Sequence, residues 1–199
     1  IGELESVIGP NRFIELYGMT ETSPVTCCNP RYGKKKPGSI GMPISDTEFK
    51  LVDPETGEPV PLGEPGEIAV RGPQVMKGYY GRPEETAHAI RDGWMHTGDV
   101  AYMDEDGYFY IVDRVKDMVN VSGFKVFTRE LDDILVKHPD VDLAACIGVP
   151  DPERPGSERV AACIILKPGV EKSEAEKEKI LQYLRDTVAP YKVPKVIER

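Results

Sequence analysis

Apolar residues in the first half of the chain come in short runs, each closed by Gly, Pro or a charged turn. Phe13–Leu16 is apolar enough for a strand and ends at Tyr17-Gly18. Glu48–Val52 alternates apolar with polar and is closed by DPETG, a turn sequence with Pro and Gly in usable places. Glu67–Val70 reads as a strand before Gly72-Pro73, and Val100–Met103 and Tyr108–Val112 predict a hairpin around the DEDG turn. Short antiparallel strands at this spacing predict a small sheet or barrel.

The pattern changes near Asp113. Thr128 can cap a helix whose apolar positions Leu131, Ile134 and Leu135 follow helical spacing, with Pro139 as its stop. Val141–Val149 and Val160–Leu166 read as buried strands. Ser173-x-x-Glu176 is a capping box, and the helix behind it carries Ile180, Leu181, Leu184 and Val188 before Pro190. The fold class is therefore α+β: a small antiparallel β-barrel portion, then a compact α+β unit. The division is expected at 1–113 and 114–199, with a charged segment, Asp113–Lys116, as the hinge.

Composition narrows the function. Of 199 residues, 40% are hydrophobic and 30% charged, ordinary for a globular chain. The net charge of −9 argues against a nucleic-acid surface, which needs a basic footprint. Lys34-Lys35-Lys36 is the longest basic run and reads as a solvated loop. The four cysteines form no CxxC pair and no zinc spacing; Cys146 and Cys163 lie in apolar runs and read as buried thiols, which points to a reducing, cytoplasmic compartment. No apolar stretch approaches a membrane span. The chain opens without Met in helix-like sequence and stops in a strand-like one, so a piece of a longer protein is expected.

Four stretches carry the chemistry: LYGMTETSP (Leu16–Pro24), GEPGEIAVRGPQVMKGYYGRPEET (Gly63–Thr86), HTGDVAYMDEDGYFYIVDRVKDMVNVSGFKV (His96–Val126) and YKVP (Tyr191–Pro194). Glu21 offers the hard oxygen Mg²⁺ requires, and Asp99 has two acceptor oxygens that suit paired hydroxyls or the backbone amides of an Asx turn. Arg114 is a permanently charged planar donor, able to pair with Asp113 or Asp117 as readily as with a ligand. In this order and spacing, from about Phe13 to Pro194, the stretches resemble the adenylate-forming superfamily of acyl-CoA synthetases, peptide-synthetase adenylation domains and luciferases. The wording of GPQVMKGYY, GWMHTGD and IVDRVKDMVNVSGF is most similar to medium- and long-chain fatty acyl-CoA synthetases.

The resemblance implies two half-reactions. A carboxylic acid attacks ATP to give an acyl-adenylate and pyrophosphate; a thiol, usually that of CoA, then displaces AMP as a small C-terminal lid rotates. It implies that Thr20 and Glu21 serve phosphate and Mg²⁺, that Tyr17 stacks near adenine, and that Gly18 allows close backbone approach. Gly18 and Met19 would border the acyl pocket. Asp99 and Arg114 would hold the ribose, Lys116 would be the hinge, and Ser122 and Gly123 would flank the pantetheine tunnel. Simple turns at Gly18, Asp99 and Gly123 are the alternative.

The departures matter too. Asn120 stands where luciferases carry a lysine. The family's Gly/Ser/Thr-rich phosphate loop lies upstream of YGMTE, and its adenylation lysine follows YKVP in a PxxxxGK-type segment; neither lies in these 199 residues. Lys192 and Lys195 precede that segment. The chain alone is therefore expected to be inactive. Carrier-protein loading, or a folded module without catalysis, stands as the other reading. Acyl chain length and oligomeric state are left open.

Overall fold

The computed structural model describes residues 2–9 and 12–198. They fall into two compact units, Ile1–Val115 and Lys116–Arg199, so the division lies two residues beyond the expected one and still inside the charged segment.

The N-terminal unit starts with α1 (Gly2–Ile8). β1 (Leu16–Gly18), β2 (Val25–Cys28) and β3 (Met42–Pro43) form a small antiparallel sheet. The strand expected at Phe13–Leu16 is thus displaced toward the YG pair, because Leu16 and Tyr17 are the residues that find partners, Cys28 and Cys27. A second sheet holds β4 (Glu48–Val52), β5 (Gly66–Arg71), β6 (Ile90–Arg91), β7 (Trp94–Met103) and β8 (Phe109–Arg114), and helix α2 (Pro83–Ala89) leads into β6. β7 is its spine, pairing with β5 on one edge and with β6 and then β8 on the other. β5 is buried along Gly66–Val70, on both faces, which is why it reads as a nearly continuous apolar run. Phe109 exchanges backbone hydrogen bonds with Ile40 and Gly41, curling the sheet into a half-barrel. The lysine run is not loose: Lys36 sits 2.5 Å from Asp104 and 2.7 Å from Asp106, and Lys34 pairs with Asp106, so the run clamps the β7–β8 turn.

In the C-terminal unit, β9 (Val119–Val121) and β10 (Phe124–Val126) make a hairpin, followed by α3 (Thr128–Leu135). Thr128 is the first helical residue rather than the cap; Phe127 occupies that place without a side-chain bond. β11 (Val141–Pro150) and β12 (Glu158–Leu166) pair antiparallel, and α4 (Glu174–Thr187) returns the chain to β13 (Val196–Glu198), parallel to β12. Ser173 caps α4 as expected, accepting from the Glu176 amide at 3.1 Å. Leu131, Leu135, Ile180 and Leu184 pack against Val141, Cys146, Val160, Ala162 and Ile164 to form the core.

Leu143, Ile147 and Ile165 are more than half exposed, and Cys163, on the same face of β12 as Ile165, is exposed as well, although Ala161 on that face is buried. The reading of Cys163 as a buried thiol fails for this reason: it lies one residue out of phase with Ala162 and Ile164, and the strand period of two sends it outward.

Candidate functional site

The YGMTE segment leaves β1 and turns at once through a 3-10 turn, Thr20–Thr22. Buried Thr22, which the motif reading passed over, ties this turn together: its hydroxyl accepts from the Met19 amide and reaches the Met19 and Pro24 carbonyls. A Cβ on Gly18 would stand 1.6 Å from the Pro24 carbonyl oxygen, so the close approach that Gly18 allows is made by the chain itself. Thr20 is exposed beside it, and Met19 is half-buried. The Glu21 carboxylate accepts the Tyr79 hydroxyl at 2.9 Å, and that contact raises the Tyr79 phenol above its ordinary range. The second oxygen of Glu21 accepts no hydrogen bond among the described residues. One half-exposed carboxylate with a free oxygen fits Mg²⁺, which usually takes one or two protein carboxylates and leaves its other positions to phosphate and water.

Asp99 sits on β7 directly opposite Arg114 on β8. Its Oδ1 accepts from Arg114 Nε at 3.2 Å and its Oδ2 from the Tyr17 hydroxyl at 2.6 Å. Arg114 thus pairs with Asp99, not with Asp113 or Asp117; Asp113 instead accepts the Arg114 amide. Tyr17 comes from a strand 82 positions earlier. Burial, with the Asp99 hydrogen bond second, holds the Tyr17 phenol far above the usual tyrosine range. The side chain of Asp99 is 14% exposed and that of Arg114 60%, so a carboxylate fixed from below faces an exposed cation at the surface. Such a pair can take two hydroxyls of a sugar and leave the guanidinium for an anion.

In the C-terminal unit, Lys116 is exposed in the 3-10 turn Val115–Asp117. Ser122 (φ 52°) and Gly123 (φ 91°) are both left-handed and close the β9–β10 hairpin as a two-residue turn. No atom lies within 4 Å of a Cβ built on Gly123, so it faces open space and its backbone alone already favours glycine. Asn120 accepts the Gly123 amide at 2.8 Å, and Ser122 accepts from Arg154 at 2.8 Å. Beside this turn lies a cavity of about 600 Å³ lined by Arg154, Arg159, Tyr191 and Lys195, with Asp151 and Glu153 at hand. Arg159 Nε is buried there without a partner. Lys192 is bound by the Glu130 carboxylate at 2.6 Å. His138, Asp140 and Glu176 also bring ligand-type atoms within 4.8 Å of one another, but Lys179 already places its ammonium 2.5 Å from Asp140.

Two family models match in chain order: AMP-binding enzyme over residues 2–80 and AMP-binding enzyme C-terminal domain over residues 130–199. A long-chain-fatty-acid CoA ligase of Bacillus subtilis (strain 168) is 46% identical over 98% of the chain, which covers 34% of that protein. A feruloyl-CoA synthase of an Amycolatopsis species is also 46% identical, over 94% of the chain and 37% of its own length. The crystal structure of ATP-bound MatB from Rhodopseudomonas palustris superposes with a TM-score of 0.82 at 38% identity, over 93% of this chain and 36% of that one. The chain thus spans about a third of the length of these relatives. With both models matched in the order the motifs require, and the Asp99 carboxylate joining two motifs far apart in the chain, the chain belongs to the AMP-binding, adenylate-forming enzymes.

Proposed function

We propose that this chain is the ribose-binding, hinge and thiol-admitting portion of an AMP-forming acyl-CoA ligase. The parent enzyme would convert a carboxylic acid, ATP and CoA into acyl-CoA, AMP and pyrophosphate through an acyl-adenylate, in the cytoplasm. The observation that carries this reading is the convergence of Tyr17 and Arg114 on the two oxygens of Asp99. In the reading, Asp99 takes the ribose hydroxyls and Arg114 swings from Asp99 to the nucleotide. Tyr17, Gly18 and Met19 border adenine and the acyl group, Thr20 bonds a phosphate oxygen, and Glu21 would be a protein ligand to Mg²⁺, which would offset the negative charge of the phosphates. Residues 1–115 would belong to the large domain and 116–199 to the lid, with Lys116 as the pivot.

Ser122 and Gly123 would pass the pantetheine thiol. No nucleic acid or membrane partner enters this scheme. Within its 199 residues the chain has neither the phosphate loop nor the adenylation lysine, both of which neutralise charge on the transferring group. Alone it should make no acyl-adenylate.

Equal identity to a fatty-acid ligase and a feruloyl-CoA synthase favours a second version of the substrate, an aromatic acid. The test is pyrophosphate release by the full-length protein across fatty and aromatic acids, with adenylate and thioester followed separately in Gly123→Leu. Adenylation retained with thioester lost supports the reading. Equal loss in both steps, or no acid activated, defeats it.

A further inference from the structure

β7 does not run evenly along β5. Ala69 pairs with His96 and Glu67 with Val100, so one residue of β5, Ile68, stands against three of β7: Thr97, Gly98 and Asp99. The extra residues leave the ladder as a bulge, with Gly98 left-handed at φ 75°. Displaced backbone N–H groups need other partners, since an unpaired buried one is costly. Thr97 supplies one: its hydroxyl accepts the Asp99 amide at 3.1 Å and donates to the Ile68 carbonyl at 3.0 Å. Glu67 supplies the other, its Oε1 accepting the Gly98 amide at 3.0 Å.

Glu67 is a carboxylate only 5% exposed, the one charged residue in the buried stretch Gly66–Val70 of β5. A buried charge is retained only where partners hold it. Its Oε2 accepts from His96 Nδ1 at 2.8 Å and lies 3.5 Å from Arg91 at the rim of a cavity of about 650 Å³. His96 and Gly98 lie on the β7 segment that leads into Asp99, and Arg91 ends the neighbouring β6. A neutral apolar residue would pack β5 as well and would leave Gly98 without an acceptor.

We propose that Glu67 is the positioning residue of the Asp99 turn: its carboxylate replaces the ladder partner that the bulge removes, and so fixes where the Asp99 oxygens stand. The proposal rests on the reading of Asp99 as the ribose ligand. Glu67 touches no substrate in it. What matters is an acceptor at the right reach, more than a charge.

The test uses two variants of the full-length enzyme that separate reach from charge. Glu67→Gln keeps an acceptor at the same distance and removes the charge; Glu67→Asp keeps the charge and withdraws the acceptor by one methylene. The readouts are kcat/KM for ATP over that for 2′-deoxyATP, and hydrogen exchange of the peptide spanning 94–101. Glu67→Asp should lower the ribose preference about tenfold, the scale of one lost hydrogen bond to a charged group, and speed exchange at Gly98. Glu67→Gln should keep both near the parent. Equal loss in the two variants, loss confined to Gln, or an unchanged ratio in Asp overturns the proposal. Asp99→Ala separates its failure from that of the underlying reading. If that variant keeps the ribose preference, Asp99 is not the ribose ligand, while exchange in the Glu67 variants still reports whether Glu67 holds the turn.

Discussion

Replacing Tyr17 with Phe removes one oxygen and keeps the ring. The lost contact is the 2.6 Å hydrogen bond to Asp99 Oδ2. A hydrogen bond to a charged group contributes about 1.5–3 kcal/mol. Water can reach part of the vacated position, because the Asp99 side chain is 14% exposed, and this argues for the lower end, roughly 1–2 kcal/mol. The chain has a single tryptophan, Trp94, at the start of β7, so its fluorescence reports the N-terminal unit alone. With a urea slope of roughly 1–3 kcal/mol/M, the midpoint of the Trp94 transition should fall by about 0.3–2 M in Tyr17→Phe. The phenol also keeps its proton far above the usual range, with burial as the larger cause. Absorbance titration of the native parent should therefore show Tyr17 as the last of its tyrosines to ionise, after Tyr79 and Tyr110, and that last step should be missing from the variant. A midpoint shift worth less than about 0.3 kcal/mol, within the error of reading single contacts, would refute the view that Tyr17 anchors Asp99.

Three further outcomes are expected. Gly18→Ala drives a methyl into the Pro24 carbonyl and should cost about 3 kcal/mol or more of the Trp94 transition; a change below about 1 kcal/mol would mean the turn relaxes freely. Under native conditions iodoacetamide should label exposed Cys163 first and half-buried Cys28 next, while Cys27, whose thiol burial pushes up to about 12, and the still more strongly shifted Cys146 react only on unfolding; peptide mapping reads the order. Burial holds the His138 imidazole below its ordinary 6.5, with Lys179 and Lys167 adding to the effect and Asp140 and Glu176 opposing it. The unfolded chain then takes up a proton that the folded unit refuses, so stability of the C-terminal unit should fall as pH drops through about 6.5 and level off above it. His138→Asn should flatten that slope in urea melts followed by circular dichroism, and equal slopes in parent and variant would count against the assignment.

The motifs and most elements were legible along the chain because their causes are local. The DEDG turn, the Ser173 cap and the spacing of Ile180 and Leu184 each act within a few residues, and the structure keeps all of them. The chemistry of Asp99, Arg114 and Glu21 could be named from residue type and order. Their pairings could not. The Tyr17–Asp99 bond spans 82 positions, and it exists because β1 and the bulged edge of β7 are brought together by sheets that close on each other through Gly41 and Phe109. The bulge itself is a matter of register: nothing in HTGD says that three residues will stand against Ile68, and so Glu67 read only as the first residue of a strand. Cys163 failed for a related reason, since an apolar run gives a strand but not which of its faces meets the helices. Period and turn chemistry act between neighbours in sequence; register and facing are set by how distant strands share hydrogen bonds and by which side α3 and α4 cover, and those are settled only when the whole unit packs.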